Sequence, residues 1–330
     1  MKSIVFDRPG DPRQVLELRE LPLPEPPPGH VLVRMLASPI NPSDLIYITG
    51  SYKKISALPA TPGFEGVGVV ERGGGFLGWL RKGKRVAVIN DATGNWREYT
   101  VVPARQVVPV PRDLSDEQAA CFFVNPATAL VMTQSVLRIP KGAWLLQSAA
   151  ASSLGRMIVR LGKLNGFRTI NVVRRPEAAE ELKKLGADEV IVAEGMGITE
   201  RVLAITQGEG VRYAIDPVGG ETGSAVIASL ADNGKALLYG LLSGQPVTVD
   251  PRRFLDGGKR IEGFLLSDWA KRQNVPTLLG LFRRVSRLMR AGVLATDNVV
   301  AHPLTDFAAA VREAMMPAKV GKVVLRISER

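Results

Sequence analysis

Between residues 144 and 175 the chain reads WLLQSAAASSLGRMIVRLGKLNGFRTINVVRR, and no other stretch restricts the fold as tightly. Trp144 to Gln147 predict a short buried strand. Small residues from Ser148 to Ser153 make a turn, an apolar helix follows, and Arg168 to Val173 predict a second strand. At the N-terminus of such a helix, unpaired backbone N–H groups and the helix dipole favour an anion. In a strand–turn–helix–strand unit that anion is the pyrophosphate of a dinucleotide. The three positions where such turns carry glycine hold Ala150, Ser152 and Gly155, so only the last is a glycine. Alanine and serine are small enough for close backbone approach, and a serine hydroxyl can donate to phosphate. Small residues at a strand-to-helix turn can also serve packing alone, but the register favours the nucleotide. Arg174 and Arg175 follow Gly155 by about 20 residues, where this kind of fold meets the adenosine ribose. An acidic residue there would bind a ribose 2′-hydroxyl, whereas paired arginines suit a 2′-phosphate. The expected cofactor is NADPH, not NADH.

The rest of the chain falls into two rhythms. Up to about residue 112 it is rich in Pro and Gly, with short alternating runs at 31–36, 66–71, 85–89, 99–102 and 106–109, the pattern of an antiparallel β domain. From about residue 115, helices alternate with strands that end near Gln147, Val173, Val192, Asp216, Tyr239 and Leu266. Six strands with crossover helices predict a doubly wound parallel sheet. A helix from Phe307 to Met315 and a strand from Lys322 to Ile327 close the chain.

At 330 residues the chain exceeds what one core ordinarily organises, so two domains are expected. No apolar run of about 18 residues occurs, and no membrane span is expected. Lys2 to Phe6 is already strand-like, with no signal-peptide core or Arg/Ser-rich presequence, and the single cysteine, Cys121, fits a reducing compartment. The expected location is the cytoplasm. A net charge of +11 admits nucleic acid, membrane surfaces or small anions as partners. The basic residues are scattered, however. Their densest group, Arg283, Arg284, Arg287 and Arg290, alternates with Val285, Leu288 and Met289 as one face of an amphipathic helix. That face is solvated, a docking surface for an acidic carrier or a phosphorylated substrate, or a nucleic-acid contact.

Elimination narrows the chemistry. One cysteine and two separated histidines, His30 and His302, do not make a structural or catalytic zinc site, and no Gly-x-Ser-x-Gly elbow is present. Tyrosine remains as a proton donor. Tyr99 and Tyr213 fall in strand patterns, and Tyr239 ends a sheet strand where cofactors bind. Tyr47 and Tyr52 follow the loop SPINPSD (38–44), and the residues alone do not choose between them.

SPINPSDLIYITGSY (38–52), GNWREYTV (94–101), FFVNPATA (122–129), the nucleotide turn, RTINVVRR (168–175), LLYGLLSG (237–244), GFLLSDWAKR (263–272) and GKVVLRI (321–327) together resemble the zinc-independent medium-chain dehydrogenase/reductases. Within that superfamily the chain is most similar to the NADPH-dependent 2-enoyl thioester reductases. The resemblance implies an α/β architecture: a GroES-like antiparallel catalytic domain (1–126 and 268–330) and a six-stranded Rossmann domain for NADP (127–267). It places the proton-donating tyrosine on Tyr52. Asn41 and Asp44 match the loop beside the nicotinamide, and Asn125 and Thr128 another segment that reaches the cofactor. Ala151, Ser152, Ser153 and Leu154 match the pyrophosphate turn, and Arg174 and Arg175 the 2′-phosphate site. Tyr239, Gly240, Leu241 and Leu242, with Phe264, Leu265, Leu266 and Ser267, match segments lining the nicotinamide. Lys322 matches a late cofactor contact, and Trp269 an aromatic near the acyl pocket.

Two positions depart from the pattern. Phe64 stands where the reductases usually have Asn and the zinc-using relatives have His, and Ala151 stands where Asn is common. The implied reaction is hydride addition to a carbon–carbon double bond conjugated to a thioester carbonyl, with Tyr52 supplying the α-proton; a phenol of ordinary pKa, about 10, is protonated at neutral pH. Lys53, Lys54, Lys271 and Arg272 are candidates to meet phosphates of coenzyme A or an acyl carrier protein. Quinone or general enone reduction is the first alternative, and a non-catalytic protein binding NADPH and RNA the second. The resemblance further implies a homodimer paired near Ile261 to Leu265.

Overall fold

The computed structural model describes residues 1–52, 54–90, 92–193, 195, 197–316 and 321–329. Its contacts divide the chain into two units, Met1–Val124 with Phe282–Arg330, and Asn125–Leu281.

In the second unit, six strands lie side by side in the order Glu189–Val192, Arg168–Val173, Trp144–Gln147, Val211–Asp216, Leu230–Leu238 and Arg260–Gly263, every pair parallel. The order reverses between Trp144–Gln147 and Val211–Asp216, the switch point at which such sheets bind ligands. Helices between the strands bury apolar side chains against the sheet, so the strands read as nearly continuous apolar runs. Ser153–Asn165 is typical. Ser152 caps its start, Gly166 in the left-handed conformation ends it, and Leu154, Met157, Ile158 and Leu161 form the buried stripe. Two expected strand ends shift: Leu230–Leu238 stops one residue before Tyr239, and Arg260–Gly263 stops before Leu266, which begins the helix Leu266–Lys271.

The first unit holds a seven-stranded sheet. His30–Pro39 pairs antiparallel with Glu65–Gly73, Tyr99–Pro103 and Lys322–Arg326, and Glu65–Gly73 leads on to Arg85–Ile89 and Val107–Pro109. Val299–Pro303, a strand the pattern did not announce, adds in parallel to Lys322–Arg326. Lys2–Val5 and Glu17–Glu20 form a separate antiparallel pair. The core joins Ile4, Phe6, Ile40, Tyr47, Ile48 and Trp96 to Val311, Val323 and Leu325, so both ends of the chain build it. No helix among the described residues is long and apolar enough to cross a membrane.

Candidate functional site

The nucleotide turn of the second unit is built for close approach. A Cβ on Gly155 would lie 2.3 Å from the Ala150 carbonyl oxygen, so only glycine lets the helix start against the turn. The Ala150 amide donates to the Val172 carbonyl (3.2 Å), tying the turn to the neighbouring strand. Ser152 accepts from the Gly155 amide at 3.1 Å, which leaves its own hydroxyl proton available to a ligand. Ser153 and Leu154 begin the helix, and Ala151 precedes the cap. Arg174 and Arg175 follow the strand Arg168–Val173 directly; both side chains are exposed, and Arg175 caps the next helix, Pro176–Leu185. Tyr239 to Leu242 leave the fifth strand, with the Tyr239 amide on the Asp216 carbonyl (3.0 Å) and the Leu242 amide on Pro217 (2.9 Å). Phe264 is buried, Leu265 is half exposed, and Leu266 and Ser267 open a helix that carries Trp269. Asn125 and Thr128 lie on the helix Val124–Leu130, where Thr128 is buried.

Sequence reasoning missed the polar groups that hold this edge. Asp216, at the end of VRYAID, accepts from the Ser148 hydroxyl and from the Gly219 amide (2.7 Å). It therefore clamps the ends of the two strands on either side of the switch point. Burial pushes its carboxyl up, against those bonds. Gln147 donates to the Gly155 carbonyl (3.1 Å) and to Asn171 Oδ1 (2.7 Å), fixing the helix start to the sheet. The signal was a polar residue closing an otherwise apolar strand.

In the first unit, Asn41, Asp44 and Lys322 meet in one buried cluster around Glu65, a residue the sequence did not mark as a partner of theirs. Asn41 caps the helix Pro42–Ile48, where Pro42 fixes the first turn. Asp44 accepts from the Asn41 amide (2.7 Å) and the Phe64 amide (2.9 Å). Glu65 accepts from Asn41 Nδ2 (3.0 Å) and from the amides of Phe123 (3.2 Å) and Val124 (2.8 Å). The Lys322 ammonium donates to the Ile40 carbonyl (3.1 Å) and to Asn41 Oδ1. Burial pushes the Asp44 carboxyl up to about 7, opposed by its amide bonds and the Lys322 charge. Burial pushes Glu65 up as well, and the Cys121 thiol up to about 12.

The two tyrosines of this segment part company. Tyr47 is 6% exposed, lies edge-on to Phe6 and Phe64, and is pushed up by burial, so it is a core residue. Tyr52 is 40% exposed, with its ring 5.7 Å from that of Phe64. Lys54, Lys271 and Arg272 are exposed, Lys271 lying 3.6 Å from Asp268; Lys53 is outside the described residues. His30 contacts the Pro28 carbonyl, and His302 pairs with Glu313 at 2.7 Å. Among the described residues no three His, Cys, Asp or Glu side chains come together to share a metal ion.

Known proteins with these features have recognisable names. Residues 27–112 match the alcohol dehydrogenase GroES-like domain, and residues 153–284 the zinc-binding dehydrogenase domain. The rat mitochondrial enoyl-[acyl-carrier-protein] reductase is 32% identical over 321 residues, 96% of this chain and 86% of that protein. Among solved structures, Escherichia coli quinone oxidoreductase complexed with NADPH superposes with a TM-score of 0.90 at 25% identity, over 99% of this chain and all of that one. The complex of Etr1p with NADP and crotonyl-CoA gives 0.83 at 25% identity, over 98% and 99% of the two chains. The chain belongs to the zinc-independent medium-chain dehydrogenase/reductase superfamily.

Proposed function

We propose that this protein is an NADPH-dependent oxidoreductase that reduces the carbon–carbon double bond of 2-enoyl thioesters, with Tyr52 as proton donor. The observation that carries the reading is the pairing of a small-residue pyrophosphate turn with two exposed arginines at the end of the next strand. The turn fits the cofactor because Gly155 permits the close backbone approach a pyrophosphate needs, and the Ser152 hydroxyl keeps a donor free. Arg174 and Arg175 would take the 2′-phosphate. When bound, the nicotinamide supplies a hydride for the β-carbon.

The protein's part is to stabilise the negative charge that moves to the thioester carbonyl and to protonate the α-carbon. The second task falls to the phenol of Tyr52, which is exposed at the surface of its unit. Enoyl thioesters are preferred over quinones because the enzyme in the rat relative's name acts on an enoyl-[acyl-carrier-protein] and Etr1p was solved with crotonyl-CoA. Quinone reduction remains the second reading, supported by the likeness to the Escherichia coli quinone oxidoreductase. The carrier of the acyl group is either coenzyme A or an acyl carrier protein. A reducing compartment such as the cytoplasm suits the one buried thiol, Cys121.

The test is oxidation of NADPH and of NADH, measured side by side with crotonyl-CoA, a long-chain enoyl-CoA and a simple quinone. Faster turnover of an enoyl-CoA with NADPH is expected; turnover with the quinone alone would replace the reading by its alternative. Replacing both Arg174 and Arg175 by Ala should raise the KM for NADPH about 100-fold and leave that for NADH nearly unchanged. That is close to the least expected for losing two charge-assisted bonds of about 1.5–3 kcal/mol each. An equal effect on both cofactors would remove the arginines from the 2′-phosphate site.

Arg260–Gly263 is the edge strand of its sheet, and a second copy paired there would make a dimer. A solution mass of twice 35.6 kDa is expected by light scattering. A mass of 35.6 kDa at working concentration would overturn the dimer.

A further inference from the structure

Tyr52 stands on a loop, and an exposed phenol on a loop has no fixed orientation unless something holds its ring. The helix Pro42–Ile48 ends at Thr49, and the chain turns through Gly50 at φ +80°. The backbone is anchored as far as Ser51, whose amide donates to the Ile46 carbonyl at 3.2 Å. Beyond that point the Tyr52 ring lies against Phe64, with centroids 5.7 Å apart and planes at 49°.

Phe64 is unusually well fixed. Its amide donates to Asp44 Oδ1 (2.9 Å), and its carbonyl accepts from the Asn90 amide (2.9 Å). Gly63 before it sits at φ +104°, packed so closely on Trp96 that a Cβ would lie 2.5 Å from the indole. Glu65 after it is held by three donors in the buried cluster. The ring itself backs onto Tyr47 at 5.4 Å, and Tyr47 backs onto Phe6 at 5.8 Å. A ladder of four rings therefore runs outward from the core and ends on the phenol of Tyr52.

We propose that Phe64 is a positioning residue for Tyr52: a ring fixed from behind by its backbone bonds and by Tyr47, which holds the phenol where it can deliver a proton. The proposal rests on the reading of Tyr52 as proton donor. Proton delivery requires heavy atoms within about 2.6–3.2 Å, and a displacement near 1 Å costs about 100-fold in rate. Edge-to-face and tilted aromatic pairs supply such restraint through the faces and edges of the rings.

The test is a double-mutant cycle, read with crotonyl-CoA and with a quinone. Phe64→Ala is expected to lower kcat for crotonyl-CoA by about 10- to 100-fold. The KM for NADPH and the quinone rate should stay within about twofold, because quinone reduction makes little demand on an acid. In a Tyr52→Phe background, Phe64→Ala should add less than about twofold, since its effect passes through the missing hydroxyl. Phe64→Leu fills the same space without a flat face. It should fall between Phe64→Ala and the parent, which keeps the test open if the alanine variant fails to fold. Multiplicative losses in the double variant, or a parallel fall in quinone rate, would overturn the positioning role. If Tyr52→Phe alone leaves crotonyl-CoA turnover intact, the proton-donor reading fails first. If it abolishes turnover while both Phe64 variants are silent, only the positioning role falls.

Discussion

Tyr52→Phe is expected to cut enoyl-thioester turnover by about 10²- to 10⁴-fold, the usual contribution of a positioned general acid. Quinone reduction by the same variant should stay within about threefold of the parent rate. The asymmetry follows from where the negative charge goes. Hydride addition to an enoyl thioester leaves an enolate whose α-carbon must be protonated before product forms. A quinone becomes a hydroquinone anion that is stable enough to take its proton from water. The variant removes one oxygen from a side chain that is 40% exposed, so little folding energy is at stake. A loss confined to kcat for crotonyl-CoA therefore reports on proton transfer. Equal losses with both acceptors would show that Tyr52 shapes the site without acting as its acid, and no loss with either would remove it from the chemistry.

What could be read along the chain was what local pattern encodes. Trp144–Gln147 and Arg168–Val173 were legible residue for residue, because each is an apolar run bounded by small or charged residues. The ends near Tyr239 and Leu266 were not, since the apolar runs LLYGLL and GFLL continue past the last paired residues, Leu238 and Gly263. There the neighbouring strand, not the sequence, decides where pairing stops. Val299–Pro303 was missed for a related reason: its partner, Lys322–Arg326, lies beyond an intervening helix, and parallel pairing leaves no hairpin signal.

Among candidate site residues, Tyr47 and Tyr52 looked equivalent in sequence, and only burial separates a core ring from a surface phenol. The Asn41–Asp44–Glu65–Lys322 cluster joins an N-terminal loop to the last strand. Such a contact has no local signature, although a lone acid at the head of EGVGVV and a lone lysine before VVL were its traces.

That cluster carries the largest expected effect on stability. Lys322→Met should destabilise the first unit by about 3–5 kcal/mol, the cost of breaking a buried charge cluster by removing one partner. On melting this amounts to a fall in Tm of roughly 6–20 °C. Lys322 is 4% exposed; its ammonium donates to Asn41 Oδ1, the Asn41 Nδ2 donates to Glu65, and the lysine charge acts on Asp44 and Glu65, all three buried. Burial already pushes both carboxyls up, Asp44 to about 7, and the lysine charge is among the influences pulling them back.

The pH dependence follows from that sign. Carboxyls that titrate near 4 in the unfolded chain and higher in the native state bind more protons when folded, so stability falls as pH rises through the window between. Without the ammonium both native values move higher and the window widens upward. The deficit of the variant should therefore grow from pH 5, where the carboxyls can protonate, to pH 8, where they cannot do so freely. Thermal melts of parent and variant at both values check this, with the exposed Lys54→Met as a control expected to change by less than about 0.5 kcal/mol. A deficit that is flat with pH, or larger at pH 5, would mean that the ammonium does not balance ionised carboxylates, and that the cluster is held by its hydrogen bonds alone.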